Sequence, residues 1–107
     1  MNADRYTYRV TWSEEDGEFV GLCAEFPSLS WLSPKQPSAL SGIVGLVKDV
    51  LEDMNANDER IPEPFSAKHY SGKFQVRVPP ERHRDLAVKA AESGVSLNRF
   101  VSDRLCA

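Results

Sequence analysis

Residues 72–105 read GKFQVRVPPERHRDLAVKAAESGVSLNRFVSDRL, and this stretch decides the fold. It begins with three apolar residues that alternate with three polar ones, which predicts a strand over 73–78 with one apolar and one polar, cationic face. The apolar residues are Phe74, Val76 and Val78, and the polar ones are Lys73, Gln75 and Arg77. Pro80 suits the first turn of a helix, Gly94 is a natural C-cap, and Ser96 is a natural N-cap for a second short helix. The predicted order is therefore strand, helix, tight glycine turn and helix.

Such a unit has no ladder partner for its strand, and a core of fewer than about 40 residues rarely folds unaided. A second copy of the chain supplies both, because two strands then pair antiparallel about a two-fold axis and four helices close one core. The paired strands would present Lys73, Gln75 and Arg77 twice on their outer face. Gln recognises adenine edges, and Arg or Lys recognises guanine edges, when a two-stranded ribbon enters the major groove. These residues are therefore candidate DNA contacts.

The stretch resembles the ribbon-helix-helix class of DNA-binding domains in its K-F-Q-V-R-V, L-A-x-x-A-A and G-V-S-L-N motifs, which cover about a third of the chain. The resemblance implies base contacts from the three polar strand residues and a phosphate held at the start of the second helix. The residues implied for the phosphate are Ser96, Leu97 and Asn98. Free amides and the positive end of the helix dipole favour the same place. The alternative is that 73–78 is one more strand of a single mixed domain.

A hairpin and a helix are predicted for the first half of the chain. Aromatic and polar residues alternate over 6–12, Asp16-Gly17 marks a turn, and residues 18–24 (EFVGLCA) form the returning strand. LSWL at 29–32 is a candidate third strand with Trp31 or Leu32 buried. Apolar residues at helical spacing predict a helix over 39–54 with Ser38 as its N-cap. These apolar residues are Leu40, Ile43, Val44, Val47, Val50, Leu51 and Met54. Residues 55–63 form a polar connection, and 65–71 (FSAKHYS) form either a loop or a fourth strand of the first sheet.

Residues 8–30 resemble the N-terminal domain of HicB-type antitoxins, because they carry Y-x-V-x-W-S-E-E-D-G-E-F-V-G-x-C-x-E-F-P-x-L-S followed by a helix. That family often joins this domain to a C-terminal ribbon-helix-helix domain. The resemblance implies an α+β protein with domains at 1–64 and 65–107. The first would be a small antiparallel sheet with one helix, similar to part of an RNase H-like or double-stranded-RNA-binding-like fold, and the second a ribbon-helix-helix domain formed by dimerisation. KQPSAL at 35–40 departs from the family pattern, in which a Thr and acidic residues open the helix.

Charge divides the chain into two unlike halves. Residues 1–64 contain five Lys/Arg and twelve Asp/Glu, a net charge of −7, whereas residues 65–107 contain eight and four, a net charge of +4. A basic half favours nucleic acid, and an acidic half suits a basic protein, although acidic residues also simply keep a surface soluble. Charge and turn position select as candidate toxin contacts Glu14, Glu15, Asp16, Glu18 and Glu25.

Patterns typical of catalysis are absent from the sequence. His69 and His83 have no nucleophile motif nearby, no phosphate loop or zinc spacing occurs, and the first strand offers no acids for a two-metal site. Cys23 and Cys106 are far apart, and Cys23 is expected to be a buried apolar residue. No apolar run has the length of a membrane span, and no signal pattern precedes the first strand. We therefore expect no enzymatic activity, no cofactor, no metal, no membrane contact and a cytoplasmic location.

The resemblance implies an antitoxin of a type II toxin–antitoxin system. It would neutralise a HicA-type toxin that cleaves mRNA, and it would repress its own operon by binding operator DNA as a homodimer through the C-terminal strand. Whether dimers pair into tetramers stays open. Two alternatives remain, a stand-alone ribbon-helix-helix repressor whose N-terminal domain senses a small ligand, and an RNA-associated enzyme.

Overall fold

The computed structural model describes residues 2–107 and forms two compact units, Met1–Tyr70 and Ser71–Ala107. The chain is α+β, with a three-stranded antiparallel sheet and one long helix in the first unit and two short helices in the second. The strands are β1 (Tyr8–Ser13), β2 (Glu18–Cys23) and β3 (Ser30–Ser33). The helices are α1 (Gln36–Ala56), α2 (Pro80–Glu92) and α3 (Leu97–Leu105), and short 3₁₀ turns lie at Ala3–Arg5 and Phe65–Ala67.

The predicted hairpin is confirmed. Strand β1 pairs antiparallel with β2, from Tyr8 opposite Cys23 to Ser13 opposite Glu18. In the turn, Gly17 has a φ of 64°, which glycine adopts without a steric cost, and its N–H donates to the carbonyl of Ser13 at 2.8 Å. Strand β3 pairs with the other edge of β2, so the predicted third strand is confirmed with bounds one residue later.

Helix α1 begins earlier than the sequence predicted. Its N-cap is Lys35, which makes no side-chain capping bond, so the prediction that Ser38 is the N-cap is wrong. Pro37 lies in the first turn of the helix. Its fixed φ fits there, and its missing N–H would have had no partner within the helix. Pro37 therefore belongs to the helix and does not precede it.

The core of the first unit lies between α1 and one face of the sheet. The buried residues of α1 are Ala39, Ile43, Val47 and Leu51, and they meet Ala3, Tyr6, Cys23 and Phe26. Helix and sheet approach each other closely at Gly21, where an added Cβ would lie 2.5 Å from the carbonyl oxygen of Ala39. Leu40, which the sequence placed on the buried face, is instead 45% exposed.

Strand β3 buries neither of the two side chains proposed for its core side. Trp31 is 44% exposed, and its indole lies against Gly42 of α1, where it leaves no room for a Cβ. Leu32 follows Trp31 and therefore points to the opposite face of the sheet, where it is 45% exposed.

The connection after α1 is bound to the first unit. The hydroxyl of Tyr6 donates to the carbonyl of Pro62 at 2.6 Å, and the hydroxyl of Ser66 donates to the carbonyl of Arg5 at 2.6 Å. Residues Phe65–Ala67 form a 3₁₀ turn. The sheet of the described chain has three strands, so the alternative of a fourth strand at 65–71 is wrong.

The helix boundaries of the second unit agree with the sequence. The end of α2 is a Schellman motif, in which the N–H of Gly94 donates to the carbonyl of Ala91 and the N–H of Val95 donates to that of Ala90, both at 3.1 Å. Gly94 has the positive φ, 71°, that this motif requires. Ser96 is the N-cap of α3. Glycine was informative because its positive φ lets the backbone satisfy the last carbonyls of α2. Serine was informative because its hydroxyl accepts an N–H group that the start of α3 leaves free.

Residues 73–79 form neither helix nor strand in the single chain. A strand is defined by a hydrogen-bonded neighbour, and the predicted strand at 73–78 has none among residues 2–107. The sheet of the first unit contains only β1, β2 and β3 in this part of the chain, which does not support a single mixed domain. Pairing between two copies stays a prediction about a second chain.

Candidate functional site

A row of large apolar side chains is exposed in the segment before α2. Phe74 is 75% exposed, Val76 is 68% exposed and Val78 is 45% exposed. They are the alternate residues that the sequence placed on one face of a strand. Contiguous apolar surface of this kind marks an interaction site, because its removal from water is favourable by about 25 cal/mol per Å².

Two adjoining depressions of about 480 and 590 Å³ lie beside this row, and together we call them the apolar groove. Both are lined by Val76, Leu97 and Val101. The other apolar lining residues are Phe74, Val78, Leu86 and Leu105. Of the residues in α2 and α3, only Ala90 is buried. The second unit therefore leaves large apolar side chains in water, and those of Leu86, Leu97 and Val101 are only partly buried.

His83 also lines the apolar groove, and the selection of site residues from sequence missed it. It lies about one helical turn before Leu86 and two before Ala90, on the same face of α2. In the single chain the imidazole is exposed. The spacing of positions 83, 86 and 90 was the available signal, but the selection considered only the strand and the start of the second helix.

The predicted base-contact residues Lys73, Gln75 and Arg77 are all exposed. Within the part of the chain that the structure describes, the one ion pair joins Arg99 to Asp103, so neither Lys73 nor Arg77 is paired with an acid. Lys73 and Arg77 lie at the apolar groove, whereas Gln75 lines neither depression. Residues 71–107 contain seven Lys/Arg and four Asp/Glu, so the surface around them is net positive.

The predicted phosphate-contact residues lie together at the start of α3. The hydroxyl of Ser96 accepts the N–H of Arg99 at 3.1 Å and thereby caps the helix. The N–H groups of Leu97 and Asn98 precede the first helical hydrogen bond and have no partner within the helix. Lys73 and Asn98 line the same depression, so the start of α3 lies near the start of the polar segment. Free amides at the positive end of a helix dipole can bind an anion.

Four of the five acidic residues predicted to contact a protein cluster at the hairpin end of the sheet. They are Glu14, Glu15, Asp16 and Glu18. Two of them also stabilise the turn. The carboxylate of Glu14 accepts the indole N–H of Trp12 at 3.0 Å, and that of Asp16 accepts the hydroxyl of Ser13 at 2.9 Å.

Glu25 lies beyond the opposite end of β2, and its carboxylate is bonded within the first unit. It accepts the N–H of Thr7 at 3.0 Å, the hydroxyl of Thr7 at 3.1 Å and the N–H of Phe65 at 2.9 Å. Partial burial is the largest single influence and raises the pKa of Glu25, but the hydrogen bonds from Phe65 and Thr7 together outweigh it and leave the pKa lowered. The carboxylate thus ties the start of β1 to the connection after α1. The partners are 18 and 40 residues away, so no local sequence signal indicated this role.

The remaining groups with chemical potential are few. Cys23 is 2% exposed, as the sequence predicted, and burial raises the pKa of its thiol. Among residues 2–107, no three His, Cys, Asp or Glu side chains are grouped so that they could hold a metal ion. None of the helices in the same range combines the length and apolar character that a membrane span requires.

Residues 56–105 match the sequence model of the HicB family. The match covers the segment 73–78, α2 and α3, and it leaves β1, β2 and β3 outside. The chain is therefore similar to the HicB family over residues 56–105, which are slightly less than half of its length. No curated protein and no solved structure matches the chain.

Proposed function

We propose that the chain is an antitoxin that neutralises a HicA-type toxin through residues 1–64 and represses its own operon through a dimeric ribbon-helix-helix domain. The observation that carries the proposal is the alternation at 73–78, where exposed apolar residues line the apolar groove and exposed polar residues alternate with them. The family match supports it, because the matched range contains this segment and both helices that follow.

Dimerisation follows from the energetics of the exposed apolar row. Antiparallel pairing of residues 73–78 from two copies would give each segment the ladder partner that it lacks. It would also place Phe74, Val76 and Val78 of both copies in one core with four helices. The single chain leaves this surface in water, so the homodimer is the form in which the second unit has a complete core.

DNA binding follows from the polar residues that alternate with the apolar row in the same segment. Once the apolar side is covered, Lys73, Gln75 and Arg77 of two copies form one exposed polar surface. A two-stranded ribbon fits the major groove, where Arg and Lys pair with guanine and Gln pairs with adenine. The free amides of Leu97 and Asn98 would hold a backbone phosphate and fix the register.

Toxin binding is proposed for the acidic half of the chain. Residues 1–64 have a net charge of −7, which attracts a basic protein and speeds the encounter. The hairpin carboxylates of Glu14, Glu15, Asp16 and Glu18 are proposed to contact it. Glu25, the fifth predicted contact, lies beyond the opposite end of β2, and its carboxylate ties Thr7 to Phe65, so the proposal centres on the other four. The proposed role is binding and not catalysis, and it is exercised in the cytoplasm.

A gel-shift titration of the full chain on its own upstream DNA, at two salt concentrations, tests the DNA-binding role. The wild-type chain should bind specifically and more weakly at the higher salt concentration. The triple variant Lys73→Ala, Gln75→Ala, Arg77→Ala should lose specific binding. Lys89→Ala, which removes one exposed cation from α2, is the matched control and should retain it. Equal binding by the triple variant would show that the segment is not the DNA interface.

Growth of cells that co-express the HicA-type protein of the same operon tests the antitoxin role. The full chain should restore growth, and the triple variant should restore it equally, because its changes lie in the second unit. Continued growth arrest in the presence of the wild-type chain would refute the antitoxin proposal without affecting the DNA-binding result.

A further inference from the structure

The sheet of the first unit has a face that α1 does not cover. Helix α1 packs on the side of Gly21, Cys23 and Trp31. Because side chains alternate along a strand, the neighbouring residues point to the opposite side, which we call the outer face. The strand register places Thr11, Val20 and Leu32 in one row across this face, and Arg9, Leu22 and Ser30 in the next.

The centre of the outer face is apolar. Val20, Leu22 and Leu32 belong neither to the buried core nor to the partly buried residues that pack against it. Leu32 is 45% exposed. A depression of about 360 Å³ continues from Leu22 towards Ala24 and Pro27. Three large apolar residues on adjacent strands therefore form a contiguous surface on the side of the sheet away from α1.

The charges around this surface are mainly acidic. The row that contains Ser13 and Glu18 is the last of the β1–β2 pairing and lies at the end nearest Leu32 and Val20. The turn beyond it carries Glu15 and Asp16, whereas the carboxylate of Glu14 is bonded to Trp12, which points to the α1 side. Arg9 is a cation in the second row. An apolar centre with a charged rim is the usual anatomy of a protein interface, and an acidic rim selects a basic partner.

We propose that the outer face, centred on Val20, Leu22 and Leu32, is the surface on which a small basic protein with its own apolar patch binds. This inference rests on the proposed function, in which residues 1–64 bind a HicA-type toxin, and it identifies the surface that makes the contact. It differs from the sequence-based selection, which chose carboxylates alone. The hairpin carboxylates become the rim that steers the partner, and the apolar residues provide most of the affinity.

The test compares two leucines with the same exposure. Leu32 on the outer face and Leu40 on α1 are both 45% exposed. Each is replaced by lysine in the full chain, and the affinity for the HicA-type protein of the same operon is measured by calorimetry. Leu32→Lys should weaken binding by about tenfold or more, as for a central interface residue facing a cationic partner. Leu40→Lys should stay within about twofold of the wild type, because it lies outside the interface.

Circular dichroism melting controls for the fold of both variants. If Leu32→Lys does not fold, Thr11→Lys tests the same row from an exposed position on β1 and should also weaken binding. If the wild-type chain binds and neither outer-face variant loses affinity, the outer face is not the binding surface, and the antitoxin role is unaffected. Absence of binding by the wild-type chain would overturn both. A drop in oligomer mass caused by Leu32→Lys without any partner would show that the outer face binds a second copy instead.

Discussion

Phe74→Ala should dissociate the proposed dimer, and the structure allows the size of the effect to be worked out. The ring is 75% exposed in the single chain. An aromatic side chain buries about 150–250 Å² in all, so roughly 150 Å² of Phe74 remains to be covered by a partner. At about 25 cal/mol per Å² this surface contributes about 4 kcal/mol per subunit, and its loss falls within the ~3–5 kcal/mol usual for Phe→Ala in a core. The two copies together lose about 6–8 kcal/mol, which raises the dissociation constant by a factor on the order of ten thousand or more.

Sedimentation equilibrium of the full chain across nanomolar to high micromolar concentrations measures this change. Gln75→Ala is the matched control, because the adjacent residue should face away from the core and leave the dissociation constant unchanged. A Phe74→Ala chain whose dissociation constant stays within about tenfold of the wild type would refute the reasoning, since that factor corresponds to only ~1.4 kcal/mol. Equal weakening by Gln75→Ala would show that the two faces of the segment are not distinct.

Three further predictions concern DNA contact, packing and pH. Arg77→Ala should cost about 1–3 kcal/mol of operator affinity and relax base preference at one position, as measured by gel shift on single-base operator variants. Gly21→Ala should destabilise the first unit by about 1–3 kcal/mol, because the carbonyl of Ala39 is backbone and cannot move aside, whereas Gly45→Ala, with open space around it, should stabilise it by about 0.5–1 kcal/mol. Urea unfolding followed by tryptophan fluorescence measures the stability of the first unit, since both tryptophans lie in it. Similar stability changes in Gly21→Ala and Gly45→Ala would contradict the prediction. Glu25 has a lowered pKa, so its ionised form stabilises the fold above its usual pKa of 4.5, and this stabilisation is lost as the pH falls through the lower native value. The Glu25→Gln chain should therefore lose less unfolding free energy between about pH 6 and about pH 3 than the wild type. Parallel profiles of unfolding free energy against pH would show that the bonds of the Glu25 carboxylate do not stabilise the fold.

Sequence reasoning succeeded where the signal was local. The hairpin follows from alternation on either side of Asp16-Gly17, and the α2–α3 boundary follows from Gly94 and Ser96. In each case a few adjacent residues determine the backbone conformation, because a turn or a cap satisfies its own hydrogen bonds. The match to the HicB family model contains the α2–α3 boundary but not the hairpin, whose motif carried the resemblance to HicB-type antitoxins.

Sequence reasoning failed where one local pattern is compatible with more than one backbone structure or side-chain environment. Pro37 is equally suited to a loop and to the first turn of a helix, so the start of α1 was placed three residues late. Leu40 has helical spacing but is 45% exposed, whereas the adjacent Ala39 is fully buried, and spacing alone did not distinguish the two. The bonds of Glu25 to Thr7 and Phe65 had no local signal, because they depend on a chain path that only the folded unit defines, and its toxin contact stays a prediction.

The segment at 73–78 differs from these cases, because its missing information lies outside the single chain. Alternation determines which side chains share a face whether or not the segment is paired, since successive residues of an extended chain point in opposite directions. It does not determine the neighbour that completes the ladder. Phe74 in water is costly, whereas Lys73 and Arg77 in water are not, so any stable partner must cover the apolar side and leave the polar side free. A partner that covered the polar side would desolvate two cations and still leave the apolar row exposed. The proposed dimer on DNA would satisfy both faces, because it places a protein on the apolar one and a polyanionic surface on the polar one.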